Sequence, residues 1–327
     1  MTGSATPEPK QRPSEYFPKF FEELPSMAGK NIVVTGASRG LGFVTALSLA
    51  KKGASLFLLN RRSTRAEESL AVIAEACSGP PPQLIECDLL DFASVRAAAG
   101  RLAAEGSVDG IDVLCCNAGV MLQPDQPSKD GYDITISANV LSHFLLTREL
   151  MPQLEKAATS RKEARIVNMS SGSGFGPPAF NPRFYTKDGG NLGGQKASYE
   201  RYHQSKLANL LLTSALADKL RIRKSRVKAL ACTPGVCGTD MFAHVVSLSK
   251  PGEPVDLSVV PSVEDGSLAQ LKCICEPSLE SGQLFGPPGM GGLPVKIPLE
   301  PPTVLVDTQA KVKLWEACER AVGAFEL

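Results

Sequence analysis

The stretch that most restricts the fold is a short apolar, β-branched run, Asn31 to Thr35 (NIVVT), followed at once by a glycine-rich turn and then by a helical pattern from Leu41 to Lys52. A buried strand feeding a helix through such a turn opens a strand–helix–strand unit, and hence a parallel sheet. The turn reads Thr35-Gly36-Ala37-Ser38-Arg39-Gly40-Leu41-Gly42. Gly36 permits a sharp exit from the strand, Gly40 a close approach of backbone to a pyrophosphate, and Gly42 close packing of helix on sheet, while the helix N-terminus offers N–H groups to phosphate. The glycine spacing differs from the commoner GxGxxG, and a tight turn without a ligand is the plainer alternative.

The second strand, Ala54 to Asn60, ends in Arg61-Arg62. At this distance from the glycines, about twenty residues, a carboxylate would bind a ribose 2′-hydroxyl, whereas arginine accommodates a 2′-phosphate. No carboxylate stands here and Arg39 adds a further cation, so the pattern points to NADP(H); solvated helix-start charges are the bland reading of each arginine taken singly. A helix over 64–77, strand 83–87, helix 92–105 and strand 112–116 follow, an alternation that predicts a parallel sheet with helices on both faces. Asp88-Leu89 and Asn117-Ala118-Gly119 close two of these strands beside the glycine turn. Together they define one crevice, with Asp88 as an adenine contact, although Asn and Gly are also ordinary turn residues.

A long helical pattern over 132–156 holds Asn139 among apolar residues, a poor helix-interior residue unless its amide bonds backbone or a water. Strand 165–169 leads into Ser170-Ser171, and after a Gly- and Pro-rich segment a helix running to Arg221 carries Tyr202 and Lys206. Four residues apart, the two side chains stack on one helix face. A phenol beside an ammonium suits a proton donor for carbonyl reduction, the cation drawing the phenol down from about 10. Strand 226–232 then ends in Thr233-Pro234-Gly235-Val236, with Thr239 close behind.

Charge and cysteines exclude several classes. With 35 basic and 34 acidic residues interspersed, net +1, the chain does not read as a nucleic-acid binder or a polybasic membrane protein. Nine cysteines, most in apolar runs, are expected as reduced thiols in a cytoplasmic protein, and no Cys/His spacing predicts a metal site. No apolar run reaches a membrane span and the N-terminus lacks a signal peptide's apolar core. Residues 1–28, with five prolines, read as an irregular arm whose FPKFFEEL stretch suits a short docking helix. Tyr16 to Phe21 leave room for peripheral membrane contact, which nothing in the charge pattern requires. Residues 29–327 read as one domain, including an irregular cap over 242–302 with one helical piece near 263–275, and an amphipathic helix over 308–322.

Six motifs in order, TGASRGLG, CNAG, ANVLSHF, NMSSGSG, YHQSK and TPGVCGTDM, resemble the short-chain dehydrogenase/reductase family over Lys30 to Met241. The gap between Ser171 and Tyr202, the SKLANLL continuation and the C-terminal GPPGMGG and KLWEACERAVG are similar to its retinol-dehydrogenase and protochlorophyllide-reductase-like branch. The resemblance implies a doubly wound Rossmann sheet of about seven strands in the order 3-2-1-4-5-6-7. It also implies that Tyr202 is the acid/base, that Ser171 (with Ser170 in reserve) bonds the substrate carbonyl, and that Lys206 binds the nicotinamide ribose and lowers the Tyr202 pKa. Asn139 would hold a water linking Lys206 to solvent, and Thr239 with the Val236 backbone would orient the nicotinamide amide. Gly119 and Ser171 depart from the protochlorophyllide reductases and favour carbonyl/alcohol chemistry on a lipophilic substrate lined by Phe175 to Ser198 and the cap. A monomer or homodimer is expected. The alternative is a non-catalytic NADP(H)-binding scaffold or subunit.

Overall fold

A computed structural model describes residues 10–106, 110–249, 253–298 and 307–327. Residues 1–9 of the arm, and 250–252 and 299–302 of the expected cap, lie outside the described residues.

The chain runs β1 (Lys10–Gln11), α1 (Phe17–Glu23), β2 (Asn31–Thr35), α2 (Gly40–Lys51), β3 (Ser55–Asn60), α3 (Thr64–Ala76), β4 (Gln83–Glu86), α4 (Phe92–Arg101) and β5 (Val113–Cys116). It continues α5 (Ile134–Ile136), α6 (Ser142–Arg161), β6 (Ala164–Met169), α7 (Ser198–Ile222), β7 (Val227–Cys232), α8 (Asp240–Ser249) and β8 (Asp256–Leu257). The last elements are α9 (Val263–Gly266), α10 (Leu268–Cys275), β9 (Leu284–Gly286), β10 (Val295–Ile297) and α11 (Thr308–Val322).

The main sheet has the order β10-β9-β7-β6-β5-β2-β3-β4. Its first seven strands in sequence, β2 to β7 and β9, reproduce the doubly wound 3-2-1-4-5-6-7 arrangement. Antiparallel β10 adds an eighth strand at the β9 edge. The sequence reading treats this segment as irregular because GPPGMGGLP has none of the apolar alternation of a strand.

Period-two alternation explains why apolar runs cover both faces. Val33, Phe57, Leu59 and Leu114 point into one core with α4, α6, α7 and α11. Ile32, Val34, Leu56, Leu58 and Cys115 point into the other, with α2, α3 and α10. On the first face α11 lies along α7, and Trp315 meets Phe144 edge-on at 5.0 Å and stacks on Phe325 at 5.3 Å. No described helix is long and apolar enough to cross a membrane.

The helix read over 132–156 is interrupted. Asp133 caps α5 by accepting from the amides of Thr135 and Ile136 (2.9 and 3.1 Å), and a π-helical turn, Ser137–Leu141, then separates α5 from α6. Asn139 sits in that turn, which widens the backbone and frees carbonyls from the α-helical ladder.

The arm is also more ordered than its composition implies. β1 pairs in parallel with β8. The Asp265 carboxylate accepts from the amides of Glu15, Tyr16 and Phe17 at 2.8, 2.9 and 2.9 Å, satisfying donors that α1 leaves open. Phe17, Phe20 and Phe21 pack inward against the second core, so FPKFFEEL is a short helix that docks by its aromatics, which leaves less of them for a membrane surface. Asp265→Ala removes both acceptor oxygens and with them all three hydrogen bonds. It should lower unfolding free energy by about 1–3 kcal/mol in urea titrations and expose Lys19 to trypsin; an unchanged midpoint and digest would show that the arm is held elsewhere.

Candidate active site

The glycine turn sits where β2 ends, facing the end of β5. Gly36 has φ +70°, and a Cβ there would stand 2.9 Å from Ala118 Cα; a Cβ on Gly42 would stand 2.3 Å from the Gly36 oxygen and 2.4 Å from Asn117 Nδ2. The two strand ends are thus interlocked, and only glycine fits between them. The Thr35 hydroxyl is the hub, accepting from the amides of Asn117 and Ala118 at 3.0 Å each. Its proton faces His143 Nε2 at 2.9 Å and, at 3.4 Å, the Cys115 carbonyl; because His143 Nδ1 faces the Asn139 carbonyl at 3.3 Å, which only accepts, the imidazole carries its proton on Nδ1. Burial agrees, pushing His143 down to about 4. Thr35 and His143 lie inside motifs already read, but side-chain pairings across 108 residues leave no local signal.

Tyr202 and Lys206 lie on α7 as expected, with Nζ 5.7 Å from the phenol ring centre. Lys206 is 3 % exposed and donates to the Met169 carbonyl at 3.1 Å. Asn139 spends both amide hydrogens on Val120 O and Ser205 Oγ, each 2.9 Å, and accepts from the Val120 amide at 2.8 Å. Its main-chain carbonyl, in the π turn, faces His143 Nδ1 at 3.3 Å and keeps a second lone pair. Gly119 lies between these groups, since a Cβ there would be 3.3 Å from Asn139 Oδ1 and 3.4 Å from Lys206 Nζ. The two serines separate cleanly. Ser170 Oγ donates to the Lys206 carbonyl at 2.8 Å and is structural, whereas Ser171 lies beside the phenol together with Ser173, which the sequence reading did not single out.

One expectation is corrected. Burial pushes Tyr202 up to about 12, opposed by the Ser171 and Ser173 hydroxyls, and Lys206 is not what lowers it. The same burial pushes Lys206 down to about 8, which weakens it as a charge.

The cofactor-side residues divide. Ser38 and Leu41 are half-buried beside Gly40 in the turn. Arg39 reaches the Asp240 carboxylate at 2.8 Å, and Arg65, absent from the sequence reading, reaches the same oxygen at 3.2 Å. Arg61 and Arg62 are exposed at the end of β3. Asp88 accepts from the Leu90 amide at 2.9 Å, and the Leu89 carbonyl accepts from Ser137 and Ser142 at 3.2 and 2.6 Å, tying this loop to the π turn. Thr239 stands over the turn, its methyl 3.7 Å from the Cβ position of Gly40, and caps α8 through the Phe242 amide. After Pro234, Gly235 has φ +71° and faces the Met290 carbonyl, to which the Val236 amide donates at 2.9 Å. Of the Val236 backbone expected to orient a nicotinamide amide, the N–H is therefore engaged by the cap.

Residues for a dinucleotide fit on this evidence. The interlocked glycines leave backbone exposed at the α2 N-terminus, and the Asp240 carboxylate shows two guanidiniums converging on one anion.

Lys206 also yields a stability prediction. A buried lysine held below its unfolded pKa costs stability fully below about pH 8, and the cost disappears as pH rises toward 10.5. Lys206→Met should therefore raise unfolding free energy at pH 7 by up to roughly 3 kcal/mol, with the gain vanishing by about pH 10. Asn209 Nδ2 still satisfies the Met169 carbonyl at 2.9 Å. Denaturant titrations at both pH values check this, and a loss of stability at pH 7 would contradict it.

Comparison with known proteins agrees with this geometry. Residues 30–186 match the family model described as short chain dehydrogenase. Retinol dehydrogenase 11 of Mus musculus is 32% identical over 258 residues, 78% of this chain and 76% of that protein. Polyprenol dehydrogenase of Mus musculus is 29% identical over 306 residues, 92% of this chain and 86% of that protein. Among solved structures, an uncharacterized protein from Mycobacterium paratuberculosis superposes with a TM-score of 0.73 at 29% identity, covering 94% of this chain and 98% of that one. A short chain dehydrogenase from Escherichia coli complexed with NADPH gives a TM-score of 0.60 at 25% identity, covering 80% and 97%. The chain belongs to the short-chain dehydrogenase/reductase family, on its retinol dehydrogenase-like branch.

Proposed function

We propose that this oxidoreductase uses NADP(H) to interconvert a carbonyl and an alcohol on a small lipophilic substrate, with Tyr202 moving the proton. The observation that carries the reading is the convergence of Tyr202, Ser171, Lys206 and Asn139 beside the glycine turn, tight enough that a Cβ on Gly119 would stand 3.3 Å from Asn139 Oδ1 and 3.4 Å from Lys206 Nζ. Bound NADPH supplies the hydride. The protein's residues do the remainder. Tyr202, resting protonated because burial holds it near 12, gives its proton to the carbonyl oxygen, which the Ser171 hydroxyl orients. Lys206 would bind the nicotinamide ribose, while the Ser171 and Ser173 hydroxyls favour the phenolate left behind. The Asn139 carbonyl holds a water through which the proton is replaced.

Arg39, Arg61, Arg62 and Arg65 would take the 2′-phosphate, for which the Asp240 carboxylate is the stand-in between Arg39 and Arg65. Gly36, Ser38, Gly40, Leu41 and Gly42 would take the pyrophosphate, Asp88 and Leu89 the adenine side, and Asn117, Ala118, Gly119 and Thr239 the nicotinamide side. The NADPH-bound relative supports the cofactor, and the retinol and polyprenol named for the enzyme relatives support a lipophilic substrate. A cytoplasmic location suits nine unpaired thiols, and a monomer or homodimer suits the cover that α11 gives one side of α7.

NADPH oxidation at 340 nm against hydrophobic aldehydes, ketones and quinones tests the reading. Tyr202→Phe should lose about 100- to 10,000-fold in rate while still binding NADPH. Tight NADPH binding without turnover across the panel would favour a scaffold instead. Arg39→Ala should raise the NADPH KM about tenfold and leave NADH unaffected, as loss of a charge-assisted phosphate contact requires; equal effects on both cofactors would remove the 2′-phosphate assignment.

A further inference from the structure

Arg201, the residue before Tyr202, is the largest of the fully buried side chains, at 0 % exposure. Its Nε lies 3.0 Å from the Asp133 carboxylate, itself 0 % exposed, and its Nη1 lies 3.9 Å from that of Asp125, which is 4 % exposed. The Nε–Asp133 contact is an ion pair without hydrogen-bond alignment, and the hydrogen bonds of the guanidinium go to backbone carbonyls: Nη1 to Gly194 at 2.7 Å and Leu192 at 3.3 Å, Nη2 to Gln123 at 2.9 Å. Asp125 in turn accepts from the amides of Gly190, Leu192 and Gly194 at 2.8, 2.7 and 2.8 Å. One guanidinium thus joins three pieces of chain to the turn of α7 that carries Tyr202: the loop after β5, the loop before α7, and the Asp133 cap that starts the path to Asn139.

The next residues along α7 extend the pattern. The His203 imidazole lies between the carbonyls of Ser173 and Pro178, 2.8 Å from the latter. Gln204 donates to the Ala179 carbonyl and accepts from the Asn181 amide, each at 2.9 Å. In the hexapeptide RYHQSK, then, Tyr202, Ser205 and Lys206 face the reaction site, while Arg201, His203 and Gln204 hold the covering loops through backbone groups. A buried ion cluster is a weak stability device, because well-packed apolar residues do as well, but it fixes one arrangement of the groups it joins. Asp133 is pushed up by burial, against its two backbone amides and Arg201, so this carboxylate depends on its partners.

We propose that Arg201, bridged to Asp125 and Asp133, is a positioning residue that sets the shape of the substrate pocket by locking the loops at 121–125 and 190–194 onto the catalytic helix. The proposal rests on the enzymatic reading for its kinetic consequence, though not for the clamp itself. Arg201 touches neither the phenol nor the glycine turn in any hydrogen bond or ion pair of the structure, so its effect falls on substrate binding. Lysine cannot replace it, because a point ammonium cannot serve carboxylate and carbonyl partners in several directions as the planar fork does.

The test uses Arg201→Lys and, because a buried charge change risks unfolding, the milder Asp125→Asn. Hydrogen–deuterium exchange of each full-length protein is read beside NADPH affinity and steady-state kinetics. Both variants should speed exchange in peptides spanning 121–127 and 188–197 and leave NADPH affinity within about twofold. Arg201→Lys should raise the substrate KM about tenfold or more with kcat changed less than about threefold. Unchanged exchange in those peptides in either folded variant overturns the proposal, as does a fall in kcat at constant KM. If the wild type turns over nothing, the exchange data still decide the clamp, and only the enzymatic reading falls.

Discussion

The Lys206 ammonium sits where water hardly reaches it, and much of the site exists to make that place tolerable. It keeps a hydrogen bond to the Met169 carbonyl, a carbonyl that Asn209 also supports, and its pKa falls to about 8. Packing at that spot is tight: a Cβ on Gly119 would stand 3.3 Å from Asn139 Oδ1 and 3.4 Å from Lys206 Nζ, and the Asn139 amide is already engaged by Val120 and Ser205. Asn139 is presented from the π turn that separates α5 from α6. The stability spent on one buried cation is the kind of local cost that active sites carry.

A second dependence runs from the site to the glycine turn. Asn139 O, His143, Thr35 and Asn117 form one chain of hydrogen bonds, so the π turn and the end of β2 cannot shift independently. The arm and cap close the other side: Gln11 donates to the Gly238 carbonyl at 3.2 Å, one residue before Thr239, while Asp265 holds α1. The cofactor crevice is therefore bounded by segments more than 200 residues apart in sequence.

What could be read directly from the sequence follows from the range of each interaction. β2, β3, β5 and β6 were legible because both faces are buried and apolar runs report that locally. The glycine turn was legible because its backbone geometry admits few residues, and Tyr202 with Lys206 because helical spacing brings them together. The pairing of β1 with β8, the Asp265 cap and the Arg201 cluster were not, since each joins polar groups whose partners are distant and whose local sequence reads as loop or surface. Arg201 looks like a solvated helix charge until the loops fold over it. Tyr202 lies on α7 as its spacing implies, but the direction of its pKa was not legible, because burial is a tertiary quantity and outweighs the Ser171 and Ser173 hydroxyls that oppose it.

In the proposed reaction α7 delivers a proton from Tyr202 to a carbonyl that receives hydride from NADPH. That reaction is tested most directly by supplying NADPH deuterated at the transferring carbon together with a hydrophobic aldehyde, and weighing the alcohol formed. The account predicts one deuterium on the carbinol carbon with the wild-type protein and no measurable alcohol from Tyr202→Phe in the same time. Unlabelled alcohol, or labelled alcohol formed equally fast by Tyr202→Phe, would contradict it.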